Sequence, residues 1–346
     1  VLTPQETSEL FKELMLLKDK GHTIVFISHK LNEVKEITDR ITIMRAGKDV
    51  GTYDTDKVSK EDISNLMVGR EIVWDLDKSK ADPKDVAVQV AQVTLVNEHK
   101  RKLLDDVNFS IRRGEILGVV GVEGNGQREL VDVLTGLQQA SLGTITINGE
   151  NIQRYSIRTI RDLGLSHIPE DRMTLGVAEY ASIEENLMSI YFDKPEFLNG
   201  PFMKLKQINA WAKEKVVDYR VKTGSEKTPV KMLSGGNIQK VVVAREFSNN
   251  PKVIIADQPT RGIDVGAAQF IHKKLIELRD KGCAVLLVSA DLTEVMDLSD
   301  SLLVFYNGKI VAYFEDASVL TETELGLYML GLKAQSEAEI RRCVYA

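Results

Sequence analysis

The chain carries two copies of one structural unit, set 261 residues apart. At that offset Lys20-Gly21 falls on Lys281-Gly282, Glu33-Val34 on Glu294-Val295, Asp39 on Asp300, Gly47-Lys48 on Gly308-Lys309, and the apolar run IVFIS (24–28) on VLLVS (285–289). A register held over so many positions marks a repeat, and it limits the fold to architectures in which this unit occurs twice. Each copy reads as a helix (5–20; 266–281), a buried β-branched strand, a short helix, a hairpin turning at Ala46-Gly47 or Asn307-Gly308, and a closing helix, with one extra residue in the second copy.

About 175 residues, beginning near Val86, precede the second copy, and nothing precedes the first. The expected organisation is therefore a C-terminal half-domain (1–72) that has lost its earlier part, a charged, proline-bearing linker VWDLDKSKADPKD (73–85), a complete domain (86–331), and a tail (332–346) with no readable pattern. Strands of 1–72 suited to a parallel sheet are expected to leave an edge and an apolar face uncovered.

With 43% hydrophobic and 28% charged residues the chain has the composition of a globular protein with a sizeable core. A net charge of −6 argues against a dedicated nucleic-acid binder. Cys283 and Cys343 are neither a close pair nor metal-spaced, so neither a disulfide nor zinc is expected. No stretch approaches the roughly 20 apolar residues of a membrane span, and VLTPQETSEL is not a secretory signal.

Within the complete domain EILGVV (115–120) reads as a buried strand, GVEGNG (121–126) as a glycine loop and RELVDVLTG (128–136) as the start of a helix. That context suits phosphate binding, because glycines let backbone N–H groups close on an anion at a helix N-terminus. Downstream, KVIIADQPT (252–260) is an apolar strand ending in Asp257, the kind of carboxylate that holds magnesium beside phosphates. Between them LSGGNIQK (233–240) opens a helix, with Ser234 as its expected N-cap and Gly235 and Gly236 allowing close backbone approach. Taken singly, each element has a bland alternative, a tight turn or a helix cap; their order and spacing set them apart.

The glycine loop, LSGGN, the D-Q-P-T strand end and RGID (261–264) together resemble the nucleotide-binding domains of ABC transporters, over nearly the whole chain. The resemblance implies an α/β fold of the P-loop type with a mixed sheet and a helical subdomain (about 170–250), preceded by the C-terminal half of a second copy. The tandem arrangement, the GNG loop, PEDR (169–172) and LSGGN are similar to the ATPases that import simple sugars and nucleosides, whose second domain is typically degenerate; GVEGNGQ with HIPEDR is most similar to the nucleoside branch.

Carried over residue by residue, the resemblance implies that ATP meets Gly121, Gly124, Asn125, Gly126, Gln127 and Arg128 on one surface and Ser234, Gly235, Gly236 and Asp264 on another, with Asp257 holding Mg2+ through water. Four departures stand out. Gln127 replaces the phosphate-binding lysine, Arg128 the hydroxyl that ligates magnesium, and Gln258 the glutamate that polarises water; Ala290 stands where the first copy has the switch histidine, His29. The loop is thus expected to bind or regulate without catalysing, while LSGG and His29 serve another, competent ATP. The implied partners are integral membrane permeases, contacted through the helical subdomain with PEDR as hinge, and indirectly an extracellular solute-binding lipoprotein. The implied location is the cytoplasmic face of the plasma membrane. Two alternatives are a soluble ABC ATPase acting on nucleic acid or ribosomes and a catalytically silent nucleotide-binding module.

Overall fold

The structure, a computed structural model, describes residues 4–28, 31–45, 47–68, 78–317 and 320–345. Helices α1 (Pro4–Asp19) and α2 (Leu31–Ile37) lead to the hairpin β1 (Arg40–Arg45) and β2 (Lys48–Asp54), closed by α3 (Lys60–Val68). From Val86 the chain forms β3 (Val86–Val96), β4 (Lys102–Arg112), β5 (Ile116–Val120), α4 (Gln127–Thr135), β6 (Leu142–Ile147), β7 (Glu150–Asn151), α5 (Ile157–Asp162) and β8 (Leu165–Ile168). A mostly helical stretch follows: α6 (Ile183–Met188), the small hairpin β9 (Leu198–Asn199) and β10 (Phe202–Met203), α7 (Leu205–Asp218) and α8 (Gly235–Phe247). The last part is β11 (Val253–Asp257), α9 (Val265–Asp280), β12 (Ala284–Val288), α10 (Leu292–Leu298), β13 (Ser301–Tyr306), β14 (Lys309–Phe314), α11 (Glu322–Met329) and α12 (Glu337–Ile340).

A six-stranded sheet in the order β14-β13-β5-β12-β11-β8 is parallel except for its edge strand β14. Because side chains alternate along a strand, Ala284, Leu286 and Val288 of β12 pack with α4 and a four-stranded antiparallel sheet (β4-β3-β6-β7), while Val285 and Leu287 pack with α8 and α9. Cover on both faces explains why β5, β11 and β12 are unbroken apolar runs. Helix α8 is apolar on two sides. Ile238, Val241 and Ala244 face the core of the helical stretch, where Ile183 and Leu187 sit behind a capping box closed by Ser182 and Glu185; Val242, Val243 and Phe247 face the sheet.

The first copy reproduces the second in its local geometry. Helices α1 and α2 match α9 and α10 residue for residue at the 261 offset, and the bulge between Ile43 and Met44 in the first hairpin recurs between Val304 and Phe305 in the second. IVFIS, expected as a buried strand, is not one. Residues 22–28 are irregular, with Val25 85% and Ile27 94% exposed. Its counterpart hydrogen-bonds to β5 and β11 on its two sides, and among the described residues no strand lies beside 24–28. A strand without a neighbour has nowhere to place its backbone donors and acceptors.

Two further differences concern side chains. KKLIELRDK (273–281) has the charge density of a solvated helix face, yet it contains Arg279, only 1% exposed and bonded to Asp280, Asp300 and the Ser79 carbonyl. The tail, unreadable in sequence, docks on the four-stranded sheet: Cys343 is buried, the Tyr345 ring lies 4.0 Å from the Arg112 guanidinium, and its hydroxyl is 2.6 Å from that of Tyr313.

The paired copies predict an exchange contrast. Amides of 24–28 should exchange near the rate of unstructured chain, and those of 285–288 should be protected by orders of magnitude, as core strands are. Hydrogen exchange read by mass spectrometry checks this; equal protection would mean that a surface covers 24–28.

Candidate functional site

The glycine loop leaves the end of β5, at the centre of the sheet, and enters α4. Gly124 (φ 87°) and Gly126 (φ 110°) occupy the left-handed region, and a side chain at Gly126 would press on the Leu103 carbonyl at 3.1 Å. The hairpin turn of the second copy buttresses the loop: the Asn307 N–H donates to Asn125 Oδ1 (2.6 Å) and the Gly308 N–H to the Asn125 carbonyl (2.9 Å). Gln127 folds back, its amide donating to the Val122 carbonyl at 3.3 Å. Arg128 points outward, and among the described residues its guanidinium forms no hydrogen bond or ion pair.

Asp257 ends β11, two strands from β5, or about 10 Å at normal strand spacing. It is 7% exposed and accepts no side-chain hydrogen bond among the described residues. Burial, with the nearby carboxylates of Glu170 and Asp132, pushes its pKa up to about 7 against the opposing charges of Arg128 and Arg261. Gln258 follows with φ 49°. Its N–H donates to the Val288 carbonyl (2.8 Å) and its Oε1 accepts from the Ala290 N–H (3.2 Å), so the amide braces the end of β12.

Ser234 is the N-cap residue of α8, as expected, with extended backbone, but its side chain makes no capping bond: its oxygen accepts from Asn237 Nδ2 at 2.9 Å, leaving the first backbone N–H groups of the helix without that partner. A Cβ at Gly235 would lie 2.8 Å from Arg172 Nη2, and one at Gly236 would lie 3.0 Å from Asp264 Oδ2. Asp264 caps α9 by accepting from the Ala267 N–H (2.9 Å). Arg172 donates to the carbonyls of Arg261 (2.5 Å) and Gly262 (3.3 Å), and Arg261 pairs with Glu170. Gln239 of α8 donates to the Pro259 carbonyl at 2.8 Å.

The sequence-predicted residues therefore form two groups. Gly121, Gly124, Asn125, Gly126, Gln127 and Arg128 follow β5, and Asp257 and Gln258 stand at the end of β11 in the same sheet; Ser234, Gly235 and Gly236 open α8, with Gly235 against Arg172 and Gly236 against Asp264. His29 lies outside the described residues. Sequence reasoning named PEDR and RGID as segments but missed the clasp that Glu170, Arg172 and Arg261 make between them; opposite charges in both were the available signal. It also missed Asp132 and Gln239.

The pKa of Asp257 gives a test with a definite sign. A carboxyl raised from about 3.9 keeps its proton in the folded state while the unfolded chain has released it, so its contribution favours folding in acid and is lost as pH rises through about 7. Asp257→Asn should therefore raise the melting temperature at pH 8, by an amount equivalent to at most ~4 kcal/mol, and change it little near pH 4. Calorimetry at both values checks this, and an equal gain at both would refute the shift.

Comparison with known proteins places this geometry in a family. Residues 104–261 match the family model described as ABC transporter. The chain is 42% identical over 339 residues to the guanosine import ATP-binding protein NupO of Bacillus subtilis (strain 168), covering 98% of this chain and 66% of that protein. It is 38% identical over 333 residues to the glucose import ATP-binding protein TsgD13 of Haloferax volcanii, covering 96% of this chain and 60% of that one. The chain thus spans less than two thirds of these relatives. Among solved structures, a nucleotide-free ATP-binding cassette from an ABC transporter superposes with a TM-score of 0.57 at 20% identity, covering 76% of this chain and all of that one. No described helix is long and apolar enough to cross a membrane. On this evidence the chain contains an ABC transporter ATP-binding domain, and ATP-binding proteins of sugar and nucleoside import are among its relatives.

Proposed function

We propose that the chain is part of the ATP-binding subunit of an importer for simple sugars or nucleosides, coupling ATP hydrolysis to solute uptake through membrane permeases at the cytoplasmic face. The observation that carries this reading is the glycine loop, LSGG segment and Asp257 strand end, in that order in one ABC domain, alongside relatives that are import ATP-binding proteins. GVEGNGQ and HIPEDR, with 42% identity to a guanosine import protein, favour nucleosides. In this reading an extracellular solute-binding lipoprotein supplies the solute, and the helical stretch of about 170–250 meets the permease, with Glu170, Arg172 and Arg261 as its hinge.

Residues 1–72, in this reading, are the C-terminal part of a further domain of the same kind, joined through 73–85. Ser234, Gly235 and Gly236, with the backbone donors of α8 uncapped by the Ser234 side chain, close over an ATP held on a different glycine loop, to which His29 belongs. The loop at 121–126 holds nucleotide without hydrolysing it. Gln127 cannot supply the lysine's charge, and Gln258 is an amide, no base, tied to the Ala290 backbone. Asp257 and Asp264 keep their positions without the groups that would make a catalytic set. The −6 charge and absence of zinc-spaced cysteines disfavour action on nucleic acid.

The chain should release phosphate from ATP at background rate, far below the ~1 s⁻¹ lower end of common turnover. Gln127→Lys should tighten nucleotide binding more than it raises rate, since Gln258 remains. A coupled phosphate-release assay on both proteins decides it, and turnover above that lower end by the unmodified chain would overturn the reading. Co-purification with an integral membrane protein, as opposed to nucleic acid, tests the transport role.

A further inference from the structure

A cavity of about 580 Å3 lies between the two copies, walled by α1, α2 and α3 of the first and by α9, α10 and α11 of the second. Its charge is one-sided. Carboxylates reach it from both walls, among them Glu36 and Glu61 from the first copy and Asp291, Glu294, Asp297 and Glu322 from the second, while Lys60 and His272 are the only basic side chains among its described lining residues. Both bases are already engaged: Lys60 is bonded to Asn32, and His272 Nε2 lies 2.7 Å from Glu294 Oε1. Lys78 of the linker, near Asp297, is turned to Asp300 (3.2 Å) and the Ser299 carbonyl (2.8 Å). Glu36, Glu61 and Asp297 make no hydrogen bond or ion pair among the described residues.

We propose that this cavity binds an organic polycation, a linear polyamine by chemistry, which bridges the two copies. The inference stands apart from any reading of the glycine loop. Like charges gathered around a cavity repel one another, and a cation placed between them turns that repulsion into attraction. Asp297 registers the crowding: burial, with Asp291 and Glu322 nearby, holds its pKa above the ordinary carboxylate value against the charges of His272 and Lys78. A second observation is independent of the exposed carboxylates. Glu294 is only 5% exposed; its Oε1 is taken by His272 and by Thr260 Oγ1 (2.7 Å), and its Oε2 has no hydrogen-bond partner among the described residues. The Ser289 hydroxyl steadies that charge without completing a bond. A buried carboxylate oxygen left open is costly and calls for a donor. The shape of the charge decides the form of the occupant. Among the described residues no three His, Cys, Asp or Glu side chains converge to hold a metal ion. Carboxylates spread over two walls match ammonium groups spaced along a chain better than a point ion, and Phe11, Leu31, Ile263 and Leu292 offer apolar surface to the methylenes between those groups.

The experiment is isothermal titration of the intact chain with spermidine at low ionic strength, with Mg2+ titrated separately. Spermidine should bind saturably, one to one, with a Kd about tenfold or more tighter than that of Mg2+. The double variant Glu61→Gln, Asp297→Asn, at two exposed and unpaired carboxylates, should weaken spermidine binding by about tenfold, or about 1.4 kcal/mol. Glu98→Gln, at an exposed carboxylate outside the cavity, should leave it unchanged. Spermidine should raise the melting temperature of the parent and not that of the double variant, whose own melting temperature should be no lower than the parent's. Mg2+ binding as tight as that of spermidine overturns the proposal in favour of a metal or of general counterion attraction. An unaffected double variant, equal weakening by Glu98→Gln, or no spermidine binding at all overturns it as well.

Discussion

Arg279, a full guanidinium with 1% of its surface exposed, ties the end of α9 to the start of β5 through Asp300. It donates to Asp300 at 2.9 Å, and the second oxygen of Asp300 accepts from the Ile116 N–H at 2.9 Å, the first residue of β5. One residue earlier, buried Glu115 accepts from Ser301 Oγ (2.5 Å) and from Arg112 Nε (3.0 Å). The start of β5 is thereby anchored to β13, β4 and α9 at once. Five residues further on, about 17 Å at strand rise, the same strand releases the glycine loop. Removing one partner of such a buried pair leaves a charge without compensation, costing about 3–5 kcal/mol. The pair is therefore better understood as fixing the origin of the loop than as adding net stability.

The first copy shows what the same local chemistry does without those surroundings. Lys18 and Asp39 occupy the positions equivalent to Arg279 and Asp300 and pair at 2.6 Å, with 38% and 74% of their side chains exposed. An exposed pair of this kind contributes little. Helices and hairpins recur in both copies because their determinants are local: apolar spacing, turn glycines at 47 and 308, and a bulge set by the hairpin itself. The strand at 24–28 does not recur, because a parallel strand depends on neighbours far away in sequence. IVFIS and VLLVS are equally apolar, yet only the second has β5 and β11 beside it.

The same division governs how much of the site the sequence discloses. Glycines at 124 and 126, the strand-end Asp257 and the glutamines at 127 and 258 can be read directly, since each follows from residue type next to an element boundary. Hidden from that reading were the tie from Gln258 to the Ala290 backbone, the clasp between Arg172 and the carbonyls of 261 and 262, and the burial that raises Asp257, all made by residues 32 to 91 positions apart or by tertiary cover. Arg279 looked like one more charge on a helix face for the same reason: nothing in KKLIELRDK says that the far end of α9 meets Asp300.

Helix α8 joins the two groups of site residues. Its N-terminus carries Gly235 and Gly236 beside Arg172, while Gln239, one turn on, donates to the Pro259 carbonyl in the loop that follows Asp257 and Gln258. Its two apolar sides are locked into different cores, one in the helical stretch and one under the main sheet. Close-packed interiors transmit displacement instead of absorbing it. Residues 257–262 are thus tied to the helical stretch twice, through Gln239 to α8 and through Arg261 to Glu170. If the loop at 121–126 holds nucleotide without hydrolysing it, as proposed, these two ties are what would report its occupant to the helical stretch.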